Sequence, residues 1–294
     1  MTLNDYLQEQ CQLVESALNR WVPHETEPPQ NIHKAMRYSL FAGGKRIRPV
    51  LCMSAARSVA DNVECVEDVA CTLELIHTYS LIHDDLPALD NDDLPRGRPT
   101  CHKVFGDAMA ILAGDSLLTL AFEVLAKVKG VSAERRVALA AELATASGTV
   151  RGMVGGQVHD IEGEGQPPTA ELLEAIHRAK TGALLRASVR MGAICAGACP
   201  EQYNALSEYG EHVGLAFQIV DDILDVEQPS EALGKTAGKD AQQGKITFPA
   251  VYGLDRSKQM ADAELARAHE CLRMFGARAF WLHELADLVV HRKA

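Results

Sequence analysis

The sequence predicts an all-α protein, a single-domain bundle of long helices covering residues 1–294, and three observations carry that prediction. Apolar residues make up 47% of the chain but aromatics only 5%, while Ala and Leu recur throughout; both lose little side-chain entropy in a helix. Apolar positions recur with a helical period along most of the length, and no stretch alternates as a strand would. The breakers between these segments are short, with no repeat of fixed period and no long flexible linker, so the helices are expected to pack around one sizeable core.

Taken in order, the first helix covers residues 4–20 and stops at "PHETEPPQ", residues 23–30. Helices at 31–42 and 47–60 flank the Gly43-Gly44 pair. The next, 64–86, is expected to end near Leu86, because Pro87 lacks an N–H and disfavours helix in the residue before it. "DNDDLPRGRPT" at 90–100 separates it from helices at 107–128 and 133–150, and "EGEGQPP" at 162–168 precedes 170–196. A helix at 202–227 runs into "EQPSEALGKTAGKDAQQG", residues 227–244, and segments 247–256, 259–273 and 281–291 complete the series.

The formal net charge of −11 argues against nucleic acid, whose phosphates need a basic footprint. Eight cysteines are scattered without a CxxC pair, which reads as reduced, mostly buried thiols in a reducing compartment. Cys195 and Cys199 could hold a metal, but no matching pair follows. The opening "MTLNDYLQEQ" lacks the apolar core of a signal peptide, and "AMAILAGDSLLTLAFEVLAKV" is interrupted by Asp115 and Glu123, which makes it too polar for a membrane span. A cytoplasmic location is expected.

Two acidic clusters interrupt this apolar background. In "FQIVDDILDV", Asp221 and Asp225 share a helix face one turn apart, with Asp222 beside them. Carboxylates that close repel, and burying them without partners is costly. A hard cation with oxygen ligands resolves the conflict, and Mg²⁺ commonly takes one or two carboxylates together with phosphate oxygens. In "LIHDDLPALDNDD", Asp84 and Asp90 would lie about 240° apart on an unbroken helix. The helix stop at Pro87 lets Asp90 fold back toward Asp84. An acidic helix terminus is a poor alternative, because negative charge is disfavoured at a C-terminal end.

Cations accompany the acids. "GGKRIRP" sets Lys45 and Arg48 ahead of a helix, "RGRPT" follows the first acidic loop, and Lys180-Thr181 lies in an Ala/Leu-rich helix. The loop bearing Lys235, Lys239 and Lys245 suits an anionic ligand, although alone it reads equally as a solvated surface loop. Together these groups suggest a site holding metal through acids and phosphate oxygens through Lys and Arg.

The same stretches, with "GGQVHD" at 155–160, "KTGALLRAS" at 180–188 and "LGKTAGKDAQQGKITFPA" at 233–250, resemble the bacterial short-chain trans-polyprenyl diphosphate synthases over nearly the whole chain. The resemblance implies an all-α homodimer of the isoprenoid-synthase type, built around a central substrate cavity. It implies that Asp84, Asp85 and Asp90 hold Mg²⁺ from one side and Asp221, supported by Asp222 and Asp225, from the other, with three ions per loaded site. Lys45, Arg48, His77 and Arg96 would grip isopentenyl diphosphate. Lys180, Thr181, Gln218, Lys235 and Lys245 would surround the allylic diphosphate, with Thr181, Gln218 and the Lys180 carbonyl offering oxygen dipoles to an allylic cation. Tyr79 and Ser80, about one turn deeper than Asp84, would set product length, and Tyr79 is bulky enough to floor the tunnel at C15; C20 and C10 products are the alternatives.

One departure stands out: Pro95-Arg96-Gly97 replaces the family's usual Arg-Arg-Gly. Weaker affinity for the allylic substrate is expected, with Arg98 a partial substitute. Three rivals share parts of the pattern. A terpene cyclase would not be expected to carry "GGKRIRP" or the second acidic motif with its lysine loop. A His-Asp metal phosphohydrolase would use His83-Asp84 with His77 but would need more imidazoles than the second cluster offers. An inactive regulatory subunit would be expected to lose an aspartate motif, and here both are intact.

Overall fold

A computed structural model describes residues 1–92, 98–227 and 245–292, and among these every regular element is helical. The helices are α1 (Leu3–Trp21), α2 (Gln30–Leu40), α3 (Ile47–Val59), α4 (Val66–Asp84), α5 (Cys101–Phe105), α6 (Asp107–Lys127), α7 (Ala133–Ser147), α8 (Met153–Gly163), α9 (Ala170–His177), α10 (Ala183–Ala196), α11 (Pro200–Glu227), α12 (Phe248–Tyr252), α13 (Leu254–Cys271) and α14 (Phe280–His291). A π-helical turn, Arg178–Gly182, joins α9 to α10, and a 3₁₀ segment, Arg273–Ala279, precedes α14. The chain divides into two compact units, Met1–Met53 with Glu64–Ala140 and Ser54–Val63 with Ala141–Ala294.

In the first unit α4 lies along α6, and α1 and α2 also pack on α4. α1 opens with a capping box: the Thr2 hydroxyl accepts from the Asp5 N–H and the Asp5 carboxylate accepts from the Thr2 N–H. α4 buries Val69, Leu73, Leu75, Ile76, Tyr79 and Ile82. α6 corrects one expectation. Asp115 and Glu123 do not disqualify it: it is the one helix among the described residues long and apolar enough, by length and composition, to cross a membrane. Here Ala113, Leu117, Ala121 and Val124 are buried in a helix that packs on α4 and α2.

In the second unit the 28-residue α11 packs on α10 and α13, and the buried Tyr209 hydroxyl donates to the Leu282 carbonyl. Leu173, Leu215, Ile219, Ile223 and Phe248 form a core cluster beneath the second acidic motif. All eight cysteines are free; Cys52, Cys71, Cys101 and Cys195 are buried, while Cys199 is exposed. Burial pushes the Cys52 and Cys71 thiols far above their usual range.

Several boundaries differ from expectation. α5 and α8 fall where the sequence pattern assigns no helix, and the Gly pair in "MVGGQVHD" gives α8 low helix propensity. The Gly155-Gly156 pair is there for approach instead: a Cβ on Gly155 would fall 1.8 Å from the Thr149 carbonyl oxygen, and one on Gly156 would fall 2.1 Å from the Lys180 amide nitrogen. The expected single helix 170–196 carries the π turn in its middle. The break expected near residues 257–258 falls at Gly253, whose φ of +79° suits glycine.

These contacts predict opposite outcomes for two Gly→Ala changes in α8. Alanine gains up to about 1 kcal/mol of helix propensity, but at Gly156 the clash is with backbone, and overpacking of that kind costs about 1–3 kcal/mol. Gly156→Ala should therefore lower the melting temperature. At Gly163 a Cβ meets only side chains, the nearest at 3.5 Å, and Gly163→Ala should leave the melting temperature unchanged or raise it.

Candidate active site

The first unit presents its candidate residues on two backbone devices. Around "GGKRIRP", Gly43, Gly44 and Arg46 all have positive φ (92°, 136° and 49°). That twist turns Arg46 inward: its guanidinium donates to Glu74 at 2.6 Å, Glu15 at 3.0 Å and the Leu40 carbonyl at 2.7 Å. Burial opposes its charge, but Glu74 and Glu15 outweigh the penalty and raise its pKa. The middle residue of the basic triplet is an anchor, with Lys45 exposed and Arg48 half-buried on either side.

The second device is the end of α4. Asp85 N–H donates to the Leu81 carbonyl, Leu86 N–H to His83 and Asn91 N–H to Leu86, and the Asp90 N–H returns to the Asp84 carbonyl at 2.9 Å. The loop is thereby closed on itself, with Asp84, Asp85 and Asp90 half-buried together. One to two turns back, Ser80 Oγ donates to the His77 carbonyl, and the buried Tyr79 ring stands edge-on to His83 at 5.7 Å. Burial, aided by the Asp84 charge, raises the Tyr79 pKa. His83 Nε2 donates to the Ile111 carbonyl at 3.0 Å, in space left by Gly114. That nitrogen is engaged by backbone, which weighs against a histidine-metal site at His83-Asp84. Arg98 lies 3.8 Å over the Tyr38 ring, whose hydroxyl donates to the Pro99 carbonyl. Arg96, with Pro95 and Gly97, lies outside the described residues, as does Lys235.

The second unit gathers Lys180, Thr181, Gln218 and the second acidic motif. Lys180 Nζ donates to Asp160 Oδ2 at 2.5 Å, linking the π turn to α8. π turns often mark functional sites, because the extra residue per turn displaces side chains from the helical register. α11 comes close at Gly214, where a Cβ would sit 3.1 Å from Gly182 Cα. One turn on, Gln218 Oε1 lies 2.9 Å from His177 Nδ1.

The three aspartates then diverge. Asp221 is exposed, and its Oδ1 accepts from Arg292 Nη2 at 2.5 Å. The same guanidinium donates to the Phe217 carbonyl and stacks 3.9 Å over the Phe217 ring. Burial lowers the Arg292 pKa, and Asp221 opposes that shift. Asp222 is buried: its Oδ2 accepts the Phe248 N–H at 2.8 Å and lies 3.3 Å from His177 Nε2. That imidazole contact is within ion-pair reach but off the hydrogen-bond line. Asp225 is half-buried, as is Lys245.

Sequence reasoning missed His177, Asp160 and Arg292. Asp160 stands in the quoted "GGQVHD", and His177 lies three residues before Lys180. Nothing in the sequence marked Arg292 as a partner of Asp221.

The polyprenyl synthetase family profile matches residues 29–274. The farnesyl diphosphate synthase of Geobacillus stearothermophilus is 47% identical over 294 residues, covering 99% of this chain and 98% of that one. The geranylgeranyl diphosphate synthase of Cyanophora paradoxa is 45% identical over 289 residues, covering 98% and 95%. Among solved structures, an FPP/GFPP synthase from Zymomonas mobilis superposes with a TM-score of 0.87 at 36% identity, covering 98% of each chain. Two acidic motifs, a cationic turn and similarity from end to end have one joint explanation: the chain belongs to the polyprenyl synthetase family of prenyltransferases.

Proposed function

We propose that this prenyltransferase is a farnesyl diphosphate synthase, condensing isopentenyl diphosphate with dimethylallyl or geranyl diphosphate to a C15 product through an allylic carbocation. The reading includes residues 1–294 acting as one catalytic domain in a cytoplasmic homodimer. The observation that carries it is the acidic loop after α4. There a 2.9 Å bond from the Asp90 N–H to the Asp84 carbonyl brings together two stretches of backbone that a continuous helix would hold apart.

The donor set suits Mg²⁺. Asp84, Asp85 and Asp90 in one unit, and Asp221 and Asp225 in the other, offer hard oxygens at accessible positions. Among the described residues no three acidic, histidine or cysteine side chains form a ready cage. That fits an ion that completes its shell with water and substrate phosphate. The Arg292 guanidinium already occupies a cation position at Asp221. Three Mg²⁺ ions, when bound with substrate, would neutralise charge gathering on the departing diphosphate.

The chain's own residues do the rest. Lys45, Arg48, His77 and Arg96 bind isopentenyl diphosphate, and Lys180, Lys235 and Lys245 bind the allylic diphosphate. The Thr181 hydroxyl, the Lys180 carbonyl and Gln218 Oε1 aim fixed dipoles at the developing cation, which is cheap because none reorganises during the reaction. Asp222, already committed to the Phe248 amide, acts as a brace rather than an ion ligand. Water has to be kept out, or it captures the cation.

Incubating the purified protein with labelled isopentenyl diphosphate, geranyl diphosphate and Mg²⁺, then sizing the products, tests the proposal. A C15 prenyl diphosphate is expected. Phosphate release without chain extension, or turnover of a single substrate, would reject it.

Tyr79→Ala removes the proposed floor and should shift products toward C20; a variant that folds and still stops at C15 removes Tyr79 from that role. Arg292→Gln tests the cation position at Asp221. An ion pair this exposed is worth about 0.2–1 kcal/mol, so Mn²⁺ binding without substrate should tighten about 1.5- to 5-fold, read by electron paramagnetic resonance. Unchanged or weaker binding would mean that Arg292 holds no ion's place.

A further inference from the structure

His177 is buried, at 7% exposure, and both of its ring nitrogens face side chains rather than backbone. Two other histidines are met by local or backbone groups, His102 Nδ1 by Thr100 Oγ1 and His83 Nε2 by the Ile111 carbonyl. His177 instead faces two side chains of α11, far along the chain from it. Its Nδ1 is 2.9 Å from Gln218 Oε1 and its Nε2 is 3.3 Å from Asp222 Oδ2. Its ring stacks on Phe248 at 5.3 Å, and the Phe248 N–H is the donor that holds Asp222. One imidazole therefore touches the amide that faces the allylic substrate in the proposed reaction, the brace of the second acidic motif, and the ring whose backbone secures that brace. Packing alone would need only the ring. A histidine placed between Gln218 and Asp222 uses the ring and both nitrogens.

We propose that His177 is a positioning residue for prenyl transfer, fixing Gln218 so that its amide oxygen is aimed before substrate arrives. The inference rests on the proposed reaction. An amide oxygen has two lone pairs; His177 engages one, which sets the direction of the other. Without it the Gln218 side chain is free to rotate or flip, and the dipole is no longer aligned in advance. Asp222, next to Asp221, is steadied from the opposite edge of the ring, so loss of His177 loosens α11 on the side where Gln218 lies.

Two variants separate positioning from packing. His177→Phe keeps an aromatic ring against Phe248 but loses both polar contacts; His177→Asn keeps an amide N–H near the place of Nδ1. With misplacement costs running to about 100-fold, His177→Phe should lower kcat about 10- to 100-fold while leaving KM for isopentenyl diphosphate within about twofold, since the groups proposed to grip it lie elsewhere. His177→Asn should recover part of the loss. The His177→Phe/Gln218→Ala double variant should be little worse than Gln218→Ala alone, because both changes remove the same function. Full additivity, or an unchanged kcat in folded His177→Phe, overturns the inference.

A second measurement needs no turnover and does not depend on the substrate assignment. In the imidazole ¹⁵N spectrum, Gln218→Leu should move the His177 Nδ1 resonance and leave those of His83 and His102 in place. No movement overturns the contact itself. Absence of prenyl product from the wild-type protein counts against the proposed reaction and leaves this spectroscopic result standing.

Discussion

Carboxylates set among apolar side chains have to be neutralised, and the structure shows how far this chain goes to do it. Glu74 is met by Arg46, Asp160 by Lys180, Asp222 by an amide and an imidazole, and Asp221 by Arg292. Each partner comes from a different element, so each pairing also ties the fold. The cost of an unpaired buried charge exceeds most single packing gains, which explains why Glu74 and Asp160 sit where the backbone has been bent or widened to bring a cation within reach. The positive φ at Arg46 is one such bend, and the π turn carrying Lys180 is another.

Close helix approach is what makes the pairings possible. Gly156 lets α8 meet the backbone of Lys180, which brings Asp160 to its ammonium. Gly214 lets α11 pass Gly182, one turn before Gln218. Gly114 leaves room for the His83 ring next to Asp84. In each case the missing Cβ stands within about one turn of a residue with a proposed role, so substitution would displace chemistry as well as packing.

What was legible in the sequence was whatever depends on local pattern. The helices α1 and α2 announce themselves by period and α4 and α6 by long apolar runs, and Pro87 predicts a helix stop from which Asp90 can return toward Asp84. The acidic and cationic motifs are likewise contiguous and can be read. What stayed hidden depends on contacts between distant segments. α8 contains the Gly155-Gly156 pair, which argues against a helix until the neighbours it admits are visible. The π turn leaves no periodic trace, because five residues alter a phase too briefly to register. Arg292 and Asp221 are 71 residues apart, and His177 reads as an ordinary apolar-face histidine until its two side-chain partners are seen. The divergence of Asp221, Asp222 and Asp225 belongs here as well: adjacent residues on a helix face different ways, but only the structure tells which one meets the Phe248 amide.

The ion pairs also differ in permanence, and exposure rather than distance decides it. Arg46 and Glu74 are 2.6 Å apart with side chains 2% and 8% exposed, whereas Arg292 and Asp221 are 2.5 Å apart but 12% and 49% exposed. By separation alone the second pair would rank as the stronger. In the buried pair neither charge has water to return to, and removing one partner costs about 3–5 kcal/mol. In the exposed pair Asp221 keeps much of its hydration, so the net gain falls to about 0–1 kcal/mol. The first pair can serve only as a fixture. The second is weak enough to be exchanged whenever a divalent ion with phosphate oxygens offers Asp221 a better bargain, and Arg292 gives up little in leaving because its guanidinium still has the Phe217 ring and carbonyl on which to rest. A half-exposed carboxylate that is to stay open to an incoming ion needs a partner of this marginal strength.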